Sequence, residues 1–151
     1  MKIVLISNGD IPPEKYGGTQ RVVWWFSFSK YIKYHGMVGG QKKKNLLAKS
    51  KAMIFPTQIE EPFGLVTIES LVSGTPVIAS EYGAMNEIIT PEVGFTCSKY
   101  NEYKNAVKNI GDIDPINCKK RVENKFNNIE MAKNYFNYYK KVVKTGNINS
   151  Y

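Results

Sequence analysis

The chain has 151 residues, of which 42% are hydrophobic and 23% charged, and a formal net charge of +8. That is enough chain for one domain with a sizeable core and too apolar a composition for intrinsic disorder. No apolar run is long enough to cross a bilayer, and the opening KIVLI is too short and wrongly flanked for a secretory signal.

Met1 to Ile6 reads as an apolar first strand, and Ser7 to Gly18 as a loop with two turn signals, Asn8-Gly9 and Pro12-Pro13. Thr19 is a candidate N-cap for the helix that follows. Gly17 and Gly18 sit at this strand-to-helix junction, where missing side chains let a ligand approach the backbone; a plain capped loop reads equally well from these residues alone. Trp24, Trp25, Phe26 and Phe28 then form a bulky aromatic run, which as an exposed patch suits self-association. His35, the only histidine, reads as structural.

Gly40 to Ser50 is expected to be a lysine-rich amphipathic helix with Leu46 and Leu47 inward, and Lys42, Lys43, Lys44, Lys49 and Lys51 clustered on it. Ala52 to Phe55 is a short apolar run closed by Pro56, as a buried strand is. Thr57 to Pro62 is polar and proline-bounded, hence a loop. Leu65, Ile68 and Val72 recur at helical spacing on one face; Gly74 ends that helix and Pro76 follows. Val77 to Ala79 is a second buried strand, so the stretch is a βαβ unit with parallel strands.

Two carboxylates belong to this unit. Glu61 falls in the loop at the carboxyl end of the first strand, and Glu69 in the second turn of the helix. Ligands of open parallel sheets bind at that edge. Gly64, Leu65 and Val66 should present free N–H groups at a helix start, which attract phosphate, and carboxylates accept from sugar hydroxyls. The combination suits a ligand carrying both hydroxyls and phosphate.

Beyond the unit, Glu81 to Glu87 is a turn into a short helix, Val93 to Cys97 a last strand and Tyr100 to Ile110 a helix. Asp114 and Pro115 open another helix as N-cap and N1, ending near Phe126. Ile129, Ala132, Phe136, Tyr139 and Val143 form a 3.6-period stripe, expected to pack on the sheet. The tail from Thr145 to Tyr151 should fray. Cys97 and Cys118 lack metal-ligand spacing and read as reduced packing residues of a cytoplasmic protein, so no metal site is expected.

The segments EPFGLVTIE and SLVSGTPVIAS resemble the donor-binding signature of retaining glycosyltransferases of the GT-B fold, family 4 (glycosyl transferases group 1), in which two glutamates also flank seven residues. IPPEKYGGTQRVV is similar to the opening of the same family. The resemblance covers roughly Tyr34 to Tyr139 and, separately, Met1 to Val23. It implies an α/β fold, a parallel Rossmann-like sheet flanked by helices, mostly the carboxyl half of a GT-B donor-binding domain. Residues 1–33 would be the first βα unit of the other domain, 34–144 a partial donor domain and 145–151 a flexible tail.

By the same resemblance Glu61 would be the catalytic-site acid contacting donor sugar hydroxyls, and Glu69 would bind the ribose. Phe63, Gly64 and Leu65 would line the sugar and diphosphate, with Gly17 and Gly18 facing them across the cleft. A nucleotide-diphosphate sugar would be co-substrate, with no further cofactor, and a sugar or lipid the acceptor. Asn86 stands where the family has proline, and the family's catalytic-region histidine and its phosphate-gripping Arg and Lys have no counterpart here. An ordinary member is more than twice this long.

Three readings follow: a glycosyltransferase retaining anomeric configuration; a catalytically inactive remnant or non-catalytic nucleotide-sugar-binding module; and a basic nucleic-acid or membrane-surface binder. The net charge of +8 is either a solvated surface or an attraction to anionic partners. No nucleic-acid motif accompanies the lysines, which argues against nucleic acid, whereas peripheral contact with the inner face of a membrane remains compatible with them.

Overall fold

The structure, a computed structural model, describes residues 3–5, 33 and 35–146. Four strands form one all-parallel sheet in the order β1 (Ile3–Leu5), β2 (Ala52–Phe55), β3 (Val77–Ser80) and β4 (Gly94–Cys97). The registers set Val4 beside Met53, Ile54 beside Ile78 and Ile78 beside Phe95. The first strand therefore joins the sheet at the edge beside β2, a placement that the sequence leaves open.

Helices α1 (Gly40–Ala48), α2 (Leu65–Val72), the short α3 (Met85–Ile88), α4 (Tyr100–Asn109), α5 (Pro115–Lys125) and α6 (Asn128–Thr145) make up the remainder. Lys49 is the C-cap of α1, so it and Lys51 lie past the helix on which they were expected.

Alternation along the strands divides the core into two layers. Met53, Phe55, Val77 and Ala79 pack with Leu47, Leu71, Met85, Ile88, Cys118 and Val122, so α1, α2, α3 and α5 cover one face. Ala52 and Ile78 pack with Cys97, Ala106 and Ile110, placing α4 and the 3-10 turn after it on the other. Every residue of β3 is buried, as expected for a parallel strand covered on both sides.

Local signals end the elements where the sequence places them. After α2, Gly74 adopts φ +78°, with its N–H donating to Leu71 O at 2.9 Å and that of Thr75 to Ser70 O at 3.0 Å. This is a Schellman termination. Asp114 accepts from the Ile116 N–H at 2.9 Å, with Pro115 in the first turn of α5.

The inward face of α2 departs from its apolar spacing. Of Leu65, Ile68 and Val72, Ile68 packs against the core while Leu65 is 69% and Val72 49% exposed, and Thr67, Ser70 and Leu71 are buried. The buried hydroxyls are satisfied locally, Thr67 donating to Gly64 O at 2.6 Å and Ser70 to Thr75 O at 2.9 Å. Hydrogen-bonded hydroxyls are tolerated inside, and the small side chains let α2 approach β2, β3 and α5.

The stripe on α6 does not pack on the sheet, contrary to expectation. The helix contains no buried residue, and Ile129, Phe136 and Tyr139 are each more than half exposed. Among the described residues, α1, α2, α3 and α5 cover the first face of the sheet.

Candidate functional site

The carboxyl ends of β2 and β3 carry the loop 56–64 and the turn 81–84. A set of hydrogen bonds holds the two together. Ser80 donates its hydroxyl to Thr57 O at 2.5 Å, and Ala84 donates its N–H to Glu61 O at 2.9 Å. The Glu60 carboxylate accepts the Gly83 N–H at 2.6 Å. Gly83 has φ +61°, and a Cβ there would collide with the backbone of Glu60 and Glu61, so only glycine permits this approach.

Glu61, half-buried, turns its carboxylate to the start of α2, where Oε1 accepts the Gly64 N–H at 3.1 Å. Gly64 is left-handed, φ +70°, and a Cβ on it would strike Met85. Its amide is therefore not free for a ligand, contrary to the expectation from sequence, because the neighbouring carboxylate already occupies it. No side chain caps α2, and the amides of Leu65 and Val66 lie in its uncapped first turn. Phe63 and Leu65 are 47% and 69% exposed beside them. Phe63 meets Phe126 edge-on, with ring centres 6.4 Å apart.

Glu69 faces elsewhere. Its Oε1 is 2.5 Å from Lys43 Nζ, so the second carboxylate is ion-paired across to α1. The pair lines an open groove of about 540 Å³ bordered by Gly40, Lys44, Val72, Ser73 and Lys119. Glu61 and Glu69 thus project from one strand–loop–helix segment toward different partners. Gly17 and Gly18 lie outside the described residues, as do Trp24, Trp25, Phe26 and Phe28.

Sequence reasoning missed three contributors. Glu60 and Gly83 carry no signal, since their contact joins residues 23 apart along the chain. Arg121, on α5, donates to Glu87 O at 2.6 Å and Ile88 O at 3.3 Å, steadying the end of α3, and stacks 5.5 Å from the Phe126 ring centre. Among the described residues no cluster of His, Cys, Asp or Glu is arranged to hold a metal ion. Burial pushes the Cys97 thiol above its ordinary ionisation range and that of Cys118 up to about 11, which leaves both as packing groups and not nucleophiles.

Residues 27–135 match the family model described as glycosyl transferases group 1. The chain belongs to this family. Glycosyltransferase relatives include an uncharacterised glycosyltransferase of Methanocaldococcus jannaschii, 30% identical over 92 residues, 61% of this chain and 22% of the relative. An MMP α-(1→4)-mannosyltransferase of Mycolicibacterium hassiacum is 28% identical over 79 residues, 52% of this chain and 19% of that one. Among solved structures, sucrose-phosphate synthase from Thermosynechococcus elongatus superposes with a TM-score of 0.68 at 22% identity. That match covers 94% of this glycosyltransferase-family chain and 38% of the synthase. The fold is accordingly that of part of a GT-B glycosyltransferase, and the chain spans about a fifth of the length of these two curated relatives.

Proposed function

We propose that the edge formed by loop 56–64, the start of α2 and turn 81–84 binds a nucleotide-diphosphate sugar, and that this is the donor half of a glycosyl transfer with retention. The observation that carries the reading is the Glu61–Gly64 clamp. It orients a half-buried carboxylate beside an uncapped helix start, so that a hydrogen-bond acceptor for sugar hydroxyls and two anion-seeking amides share one edge. Exposed Phe63 and Leu65 supply apolar contact for the sugar ring or nucleoside. Glu69 takes the ribose hydroxyls in this reading, exchanging its contact with Lys43 for them. In transfer, the bond from the anomeric carbon to the diphosphate oxygen breaks and the nucleoside diphosphate leaves, while an acceptor hydroxyl of a sugar or lipid bonds through its oxygen to the same face and gives up its proton to the departing diphosphate or to solvent.

Calorimetry with uridine- and guanosine-diphosphate sugars tests binding. Saturable binding of one of them at micromolar to millimolar concentration is expected, weakened by Glu61→Gln. No binding at millimolar donor overturns the reading. A transfer and donor-hydrolysis assay on the same protein separates a transferase from a module that binds without transferring.

A further inference from the structure

We propose that Phe126 and Arg121 are positioning residues for donor binding, fixing from behind the Phe63 ring that the ligand meets. The inference rests on the donor-site reading above. Phe63 is 47% exposed and stands in loop 56–64, one residue before the left-handed Gly64. An aromatic ring on a loop binds well only if it is already held in place, because ordering it on binding subtracts from the affinity. Phe126, at the C-cap of α5, backs that ring. The two meet edge-on with their planes 76° apart, the arrangement that the negative face and positive edge of aromatic rings favour. Phe126 is itself anchored. It is half-buried against the first core layer, and its N–H closes the last turn of α5 on Val122 O at 2.9 Å. The next residue, Asn127, caps α6 by accepting the Ile129 and Glu130 amides, each at 2.9 Å, and donates back to Glu123 O at 2.6 Å. The backbone on both sides of Phe126 is therefore fixed.

Arg121 adds a second hold, from earlier on α5. Its guanidinium lies 5.5 Å from the Phe126 ring centre, within cation–π range. The same group donates to Glu87 O at 2.6 Å and Ile88 O at 3.3 Å, carbonyls at the end of α3 that no further turn of that helix can satisfy. An arginine suits this place because its planar fork can donate to two carbonyls while its face meets a ring. Helix α3 in turn reaches the site, since the Met85 side chain lies against Gly64, where an added Cβ would strike it. Contacts thus run from Phe63 through Phe126, Arg121 and α3 back to Gly64, the neighbour of Phe63. This closed circuit ties α5 to the two residues that stand immediately before the Leu65 and Val66 amides.

The test is calorimetry of the full chain with uridine diphosphate-glucose and guanosine diphosphate-mannose, in a double-mutant cycle of Phe63→Leu and Phe126→Leu. Phe126→Leu should weaken binding of the donor that the parent takes by about twofold to tenfold, the worth of one edge-on aromatic pair. With Phe63→Leu already present, the same change should cost no further affinity, because residues acting through one contact are not additive. Phe126→Tyr, which keeps the ring, should bind like the parent. Arg121→Gln removes the carbonyl contacts without opening the core, and so reads the circuit even if Phe126→Leu fails to fold. It should weaken donor binding at least about twofold, by the loss of the cation–π hold on Phe126, and by less when Phe63→Leu is present. Parent-like affinity in the Arg121→Gln variant and in a folded Phe126→Leu variant overturns the inference. So do losses that add fully to that of Phe63→Leu, which would mark a general loosening of the fold. A parent chain that binds neither donor at millimolar concentration overturns the donor-site reading itself, and the inference with it.

Discussion

Glu61 accepts the amide of Gly64 at 3.1 Å while its own carbonyl accepts that of Ala84 at 2.9 Å, so one residue ties the start of α2 to the turn after β3. A crowded glycine stands at each tether, Gly64 at the first and Gly83, next to Ala84, at the second. Gly64→Ala should lose about 1–3 kcal/mol, from a left-handed backbone and from overpacking against Met85. Gly83→Ala should cost at least as much, because its Cβ would meet backbone atoms that cannot rotate away. Urea unfolding of the two variants measures both; parent-like stability would show that the turn can be rebuilt.

The Lys43–Glu69 pair leaves its two side chains 30% and 41% exposed. Solvent screens such a pair, so Lys43→Ala should change stability by less than about 1 kcal/mol. Glu69→Ala should weaken nucleotide-sugar binding by about 1–3 kcal/mol, the range for losing a charged hydrogen-bond partner. Equal affinity of the parent and the Glu69 variant in calorimetry would remove Glu69 from the site.

Burial raises the Cys118 thiol from an ordinary 9.0 to about 11. Above pH 9 the unfolded chain gives up a proton that the native protein keeps. The stabilising contribution of Cys118 is therefore whole below pH 9 and declines as pH rises toward 11, by up to about 1.4 kcal/mol per pH unit. Cys118→Ala should flatten this part of the stability curve. Chemical unfolding at pH 8 and pH 10.5 reads the difference; parallel curves for parent and variant would show that the thiol ionises alike in both states.

Leu71 is fully buried and Tyr135 is 56% exposed. Leu71→Ala should destabilise by about 2–5 kcal/mol, whereas Tyr135→Ala should stay within about 0.5 kcal/mol. Thr67→Val should cost about 1 kcal/mol by leaving Gly64 O without its hydroxyl partner. Thermal or denaturant unfolding ranks the three, and a Tyr135 variant as damaging as the Leu71 one would mean that α6 is packed after all.

What the sequence determined by itself was local. Ala52–Phe55 is a strand ending at Pro56, α2 stops at Gly74, and α5 begins at Asp114-Pro115, because a proline, a left-handed glycine and a capping carboxylate act within a few residues of themselves. The glutamates and EPFGLV are visible to inspection for the same reason. Tertiary structure alone decided which side of α2 turns inward, since hydroxyls bonded to nearby carbonyls make Thr67 and Ser70 acceptable in the interior while Leu65 and Val72 stay outside. It also decided that Glu60 meets Gly83, that Glu69 meets Lys43 and that α6 buries none of its residues. Helical periodicity records that a face is apolar, but what that face meets is decided by contacts between residues far apart in the chain, which periodicity does not record.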